Sequence, residues 1–203
     1  VGEQRTVRLP DGSVVNLNTR SQVLVHFTAA AREVELQDGE ALFSVEPDPS
    51  RAFSVRTATA TIRAIGTQFN VYAAPEKTTV SVLEGAIQVA PLSAPTSGNF
   101  LKAGEQAKVE RRSLATRKSP DAQSVLAWRE RRLIFENASL AEVMAEFNRY
   151  STLQMQAEGD LGRTRHLTGV FSADKPQSLI HYLQQDRRLE VITDGDLVKV
   201  RAR

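Results

Sequence analysis

The sequence predicts two domains: an N-terminal all-β sandwich or roll of many short strands, then a small α+β domain with two βαβ-like halves. Three observations predict it. Short apolar runs alternate with polar residues through the first half, with the period of half-buried strands. A glycine returns at turn-like spacing among them. After Ser119-Pro120-Asp121 the apolar period changes to that of amphipathic helices interleaved with strands. The expected divisions are an all-β domain over 1–110, a linker and connecting helix over 111–131, and an α+β domain over 132–203.

The strand runs of the first half are Val7–Leu9, Val14–Leu17, Val23–Val25, Glu33–Leu36, Ala41–Val45, Phe53–Val55, Ala60–Ile65, Gln68–Tyr72, Thr79–Val82 and Ala86–Val89. Gly, Asp, Pro and Asn occupy the breaks, as an all-β fold requires. An apolar residue, two variable ones and a glycine recur at Leu9 to Gly12, Leu36 to Gly39, Val82 to Gly85 and Leu101 to Gly104. Asp precedes the glycine in the first two. Both residue types tolerate positive φ, so all four sites read as turns between successive strands. None opens a helical pattern, which argues against a phosphate cradle. Residues 91–99 form a Pro-, Ser- and Gly-rich loop inside the β domain. Residues 111–120, with Arg111, Arg112, Arg117, Lys118 and Pro120, read as a polar boundary segment.

A helix to about Arg131 should follow, burying Val125 and Trp128, then a strand at Leu133-Ile134-Phe135. Ser139 and Glu142 have the spacing of a capping box. The helix they open carries Leu140, Val143, Met144, Phe147 and Tyr150 on one stripe, which reads as core. Strands are expected near Leu153–Met155 and over Leu167–Phe171. A second helix starts at Asp174 with Pro176 in its first turn, where a missing N–H costs nothing. Leu179, Ile180 and Leu183 give it a buried face. Leu189–Ile192 and Leu197–Val200 flank Asp194-Gly195, a hairpin signal.

The composition bounds the chemistry. Net charge is +2 over 203 residues, and aromatics make up 6%, so nothing calls for nucleic acid. There is no cysteine, which removes disulfides and thiolate metal sites. His26, His166 and His181 lie far apart without acidic neighbours at ligand spacing. No nucleophile elbow, zinc-protease motif, P-loop or dinucleotide fingerprint is present. No catalytic residue, cofactor site or metal site is expected, and the chain reads as a binding protein and not an enzyme. The chain begins at Val1 inside a strand-like run, so a preceding segment that could hold a membrane anchor is expected.

Five motifs in order resemble the FecR family. They are Leu9-Pro10-Asp11-Gly12-Ser13-Val14 with Leu17–Ser21, Arg32–Leu36 leading into Gly39–Val45, Phe53-Ser54-Val55 with Ile65–Val71, Val80–Gly85, and Leu101–Glu105. Trp128, Leu133-Ile134-Phe135, Leu140, Val143, Tyr150 and Leu167–Phe171 resemble the family's C-terminal region, which is similar to the short N-terminal domain of secretins and TonB-dependent receptors. The resemblance implies the periplasmic part of a single-span regulator (an anti-sigma factor) on the inner membrane of a Gram-negative bacterium. It implies three partners: the N-terminal signalling domain of an outer-membrane TonB-dependent transducer that senses a ligand, often a ferric siderophore; an extracytoplasmic-function sigma factor, held by a cytosolic segment before Val1; and a protease.

A small domain leaves sheet edges whose backbone another chain can complete. The candidate partner-binding segment is Arg163, Arg165, His166, Leu167, Thr168, Gly169, Val170 and Phe171, with the two arginines steering an acidic partner. The alternative is that this strand is interior and the edge lies elsewhere. A periplasmic glycan- or peptidoglycan-binding β module is the competing function. It would need exposed converging aromatics, whereas Phe27, Phe43, Phe53, Phe69 and Tyr72 mostly fall in core-type alternation.

Overall fold

A computed structural model describes residues 2–111, 113–119 and 121–203. It separates into two compact units, one over Glu3–Leu126 and one over Ala127–Arg203 with Gly2.

The first unit contains twelve strands among the described residues: β1 (Arg5–Arg8), β2 (Val14–Leu17), β3 (Gln22–Phe27), β4 (Arg32–Ser44), β5 (Phe53–Arg56), β6 (Ala60–Ala64), β7 (Gln68–Ala74), β8 (Lys77–Glu84), β9 (Ala86–Pro91), β10 (Asn99–Lys102), β11 (Glu105–Glu110) and β12 (Ser113–Lys118). They form one curled sheet, a half-barrel, in the order β10-β9-β6-β5-β4-β7-β8-β11-β12, with β2 and β3 also on β4 and β1 on β2. The apolar members of the alternating runs meet inside the curl. Val34, Leu36, Phe43, Phe53, Val55, Ile62, Phe69, Val71, Val80 and Leu101 are fully enclosed. Phe43 stacks on Phe69 at 5.3 Å and meets Phe53 edge-on at 6.1 Å. Phe27 packs on the core from its rim, and Tyr72 is half-buried.

The long β4 joins the two halves of the curl. Its first part pairs with β3 and, in parallel, β5; its second part pairs with β2 and β7. Two of the expected strands, Glu33–Leu36 and Ala41–Val45, are therefore one, and Asp38-Gly39 is a bend inside it and not a turn. Gly39 has φ of +91°, and a Cβ there would lie 2.6 Å from the Arg20 carbonyl oxygen and the Ser21 Cα. Only glycine lets the strand turn from one half to the other beside that backbone. Gly39→Ala should cost about 2–3 kcal/mol, seen as a lower urea midpoint. Gly12, Gly85 and Gly104 do sit at turns, each with positive φ.

Residues 113–118 differ from the polar boundary segment expected there, because they pair with β11 along their whole length. Leu114 alone packs on the core, so the strand carries almost no apolar signal. Arg112 and Pro120 lie outside the described residues. The following α1 (Ala122–Leu126) stops sooner than expected and gives way to a 3₁₀ turn over Ala127–Glu130. Trp128 is buried as expected, whereas Val125 is only half-buried.

The second unit runs β13 (Arg132–Ser139), α2 (Leu140–Tyr150), β14 (Gln154–Ala157), α3 (Leu161–Thr164), β15 (His166–Ser172), α4 (Pro176–Gln184), β16 (Leu189–Asp194) and β17 (Leu197–Ala202). This is the expected α+β order with one extra helical turn, α3. The Ser139–Glu142 capping box forms: Ser139 Oγ accepts from Glu142 N at 3.3 Å, and Glu142 Oε2 accepts from Ser139 N at 3.0 Å. Leu140, Val143, Met144, Phe147 and Tyr150 are all buried, as are Leu179 and Leu183 of α4. Two small sheets enclose this core, an antiparallel β13-β15 pair and a three-stranded β14-β17-β16 sheet.

Candidate docking edge

In an antiparallel ladder, alternate residues send both backbone groups to the partner strand, and those between send them to the other side. Two bonds fix that alternation for β15. Leu140 N donates to Arg165 O at 2.8 Å, and Ala173 N donates to Arg131 O at 2.8 Å. Residues 165, 167, 169, 171 and 173 therefore face β13. The backbone groups of His166, Thr168 and Val170 face away from it, and no described strand pairs with that side. Ser172, next in the series, has its carbonyl occupied by Lys175 N at 3.1 Å.

The side chains follow the pleat. Leu167 is buried and Phe171 half-buried against the core, where it meets Phe147 at 5.8 Å and Tyr182 at 6.4 Å, both edge-on. His166, Thr168 and Val170 are exposed, Val170 at 56%. Gly169 is half-buried with Phe171 beneath it. Opposite Thr168 the ladder is interrupted by a bulge between Phe135 and Ala138, where Asn137 takes φ of +49°. Asn137 N there donates to the Thr168 side chain at 2.9 Å, which holds the strand straight across the gap.

The two arginines are less free than a sequence can show. Arg163 pairs with Asp160 at 2.6 Å, and Arg165 pairs with the largely enclosed Asp186 at 2.8 Å. Arg188 approaches Asp186 too, at 3.6 Å, so three arginines near β15 share two carboxylates. The Arg163–Asp160 pair is solvent-exposed and contributes little to stability, so Arg163 can turn to a partner at small cost.

The neighbouring edges differ. The Asn148 carboxamide closes β14: its Oδ1 accepts from Met155 N at 2.8 Å and its Nδ2 donates to Met155 O at 2.9 Å. On β16, Leu189 N donates to Asp186 O at 2.9 Å and Leu189 O accepts from Arg203 Nε at 3.0 Å. That leaves Val191 and Thr193 as its outward positions. The bulge shortens the outer side of β13. β15 thus offers the longest run of outward backbone in this unit. Nothing in the sequence marks Asn148 as a plug or Asp186 as the partner of Arg165, because both are ordinary polar residues at ordinary helix and turn positions.

Among the described residues, no group of three or more His, Asp or Glu could hold a metal ion, and no helix is long and apolar enough to cross a membrane. His26, His166 and His181 are exposed, on β3, β15 and α4. Phe43, Phe53 and Phe69, which a glycan groove would need at the surface, fill the core.

Comparison with known proteins agrees with this architecture. Two crystal structures of an anti-sigma factor candidate from Parabacteroides distasonis ATCC 8503, at 1.65 and 2.50 Å resolution, are 27% identical to the chain. One matches with a TM-score of 0.85 over 98% of this chain and 94% of its own; the other with 0.86 over 100% and 95%. No curated protein sequence matches. Residues 1–88 match the family model described as FecR protein, and they contain four of the five FecR-like motifs. The N-terminal region of this chain is thus homologous to the FecR family.

Proposed function

We propose that the chain is a FecR-like anti-sigma signalling module that works in the periplasm by docking another protein. The observation that carries this reading is the unpaired outer side of β15, with backbone groups at His166, Thr168 and Val170 turned to solvent. The N-terminal homology and the likeness of both units to an anti-sigma factor candidate support it. On this reading the N-terminal signalling domain of a TonB-dependent outer-membrane transducer adds a strand to β15. Main-chain hydrogen bonds supply affinity, and the alternating exposed side chains supply selectivity. Arg163 and Arg165 steer an acidic approach. Ligand capture by the transducer, of a ferric siderophore or similar cargo, then reaches a sigma factor through a cytosolic segment and a protease.

The test is a titration of the whole chain with the isolated N-terminal signalling domains of candidate TonB-dependent transducers. Val170→Pro removes an outward N–H, with no loss to the β13 ladder, at a site where proline is tolerated. Thr168→Pro does the same but also frees Asn137 N, so Val170→Pro is the cleaner variant. Val170→Pro should bind about tenfold or more weakly, equivalent to about 1.4 kcal/mol, with an unchanged unfolding midpoint. A folded Val170→Pro protein that binds with full affinity would place the docking site elsewhere.

A further inference from the structure

The curled sheet of the first unit is not closed. Its first strand, β10, and its last, β12, both line one cavity of about 590 Å³. Gly98 and Phe100 stand on one side, Thr116, Arg117 and Lys118 on the other, and Glu105 at one end.

The hydrogen-bond alternation shows what those walls present. On β10, Ala103 N donates to Gly85 O at 3.1 Å, which makes 101–87 and 99–89 the bonded pairs with β9. The backbone of Phe100 and Lys102 therefore faces the cavity side. Lys102 N is already capped there by Glu105 Oε2 at 2.7 Å, which confirms the direction. On β12, Ser119 N donates to Gly104 O at 2.8 Å, so 117–106, 115–108 and 113–110 are the bonded pairs with β11. The outward backbone groups are those of Leu114, Thr116 and Lys118. No described strand pairs with either outer side. Both walls are thus strand edges, each with outer N–H and C=O groups that no described strand completes.

The side chains add a charge preference. Arg117 and Lys118 line the gap and are exposed, against the carboxylate of Glu105, and Lys102, next to the lining on β10, is exposed too. Arg117 is held in place by its Nε–H bond to Gln106 Oε1 at 2.8 Å. Phe100, 76% exposed, offers an aromatic face beside them.

We propose that this gap is a second docking site, which takes an extended acidic peptide segment as a strand between β10 and β12 and so closes the curl. The backbone groups on both walls recognise a strand, and the cations select carboxylates on its alternate side chains. The bond from Lys102 N to Glu105 is the self-cap that an entering strand displaces.

The probe is an acetylated, amidated heptapeptide in which glutamate alternates with valine. Controls are the same peptide with lysine for glutamate, and the acidic peptide N-methylated at alternate backbone positions. Binding to the whole chain is read by fluorescence anisotropy and mapped by backbone amide shifts. The acidic peptide should shift Phe100, Thr116 and Lys118, and should bind at least about tenfold more tightly than either control. Thr116→Pro removes an outward N–H without touching the β11 ladder, and Lys118→Glu reverses one wall charge. Each should weaken the acidic peptide about tenfold while the protein stays folded. No binding of the acidic peptide, shifts confined to β15 or elsewhere, or full affinity in both folded variants would each overturn the proposal. Shifts on β15 would instead bear on the docking edge of the second unit, so the two sites are read separately.

Discussion

Arg32→Ala should destabilise the first unit by about 3–5 kcal/mol, measured as a lower urea midpoint. Arg32 is 1% exposed, yet it is charged. Its guanidinium donates to Asp11 Oδ2 at 2.8 Å, to Glu46 O at 2.9 Å and to Arg51 O at 3.0 and 2.7 Å, and it lies 5.6 Å from the centre of the Phe53 ring. It ties the turn after β1 and the loop after β4 to the start of β4. Alanine would leave the enclosed Asp11 carboxylate without its cation and two carbonyls without donors, which is worse than never having had the pair. Lysine should rescue little, since a point charge cannot serve several acceptors in fork geometry.

The same cluster sets an acid limit. Burial by itself raises the Asp11 carboxyl, but hydrogen bonds from the Ser13 side chain and backbone and from Arg32 outweigh it, and the net direction is downward. A carboxyl lowered by folding contributes stability that is complete above its unfolded value, about pH 3.9, and that disappears as pH falls through the folded value. The unfolding midpoint of the first unit should therefore hold steady down to about pH 4 and fall below it. Arg32→Ala, which takes away one of the lowering partners, should fall less steeply over that acid range.

The second large effect is expected in the other unit, where Phe147→Ala should cost about 3–5 kcal/mol. Phe147 is fully buried on α2, 6.3 Å from the Phe135 ring of β13 and 5.8 Å from the Phe171 ring of β15. It is the side chain that seats both strands of the small sheet on the helix. Trp128 is the only tryptophan and belongs to this unit, so its fluorescence can follow the unit's unfolding. Partner affinity should drop together with stability in Phe147→Ala. In Val170→Pro affinity should drop alone, and that contrast separates support of the proposed docking strand from contact by it.

The sequence made the second unit more legible than the first. Its capping box, its five-residue apolar stripe and its Asp194-Gly195 hairpin are local signals, written within one or two turns of chain, and each formed where expected. The first unit depends on pairings that span tens of residues. Asp38-Gly39 looks like a turn because Asp-Gly tolerates positive φ, and Gly39 does take it, yet Ser21 and Arg20 hold the chain extended around it. β12 was hidden because a strand at a solvent-facing edge needs few apolar residues, and Leu114 was its single clue. The candidate segment on β15 was visible as an alternating run between loops. Its free side, the closure of β14 by Asn148 and the pairing of Arg165 with Asp186 come from tertiary placement that no local pattern encodes.

Amide hydrogen exchange of the whole chain, with and without the proposed transducer signalling domain, tests the docking account most directly. New protection centred on the amides of His166, Thr168 and Val170, absent in Val170→Pro, is the predicted result. Complex formation that leaves those three amides exchanging as fast as in the unbound protein would contradict it.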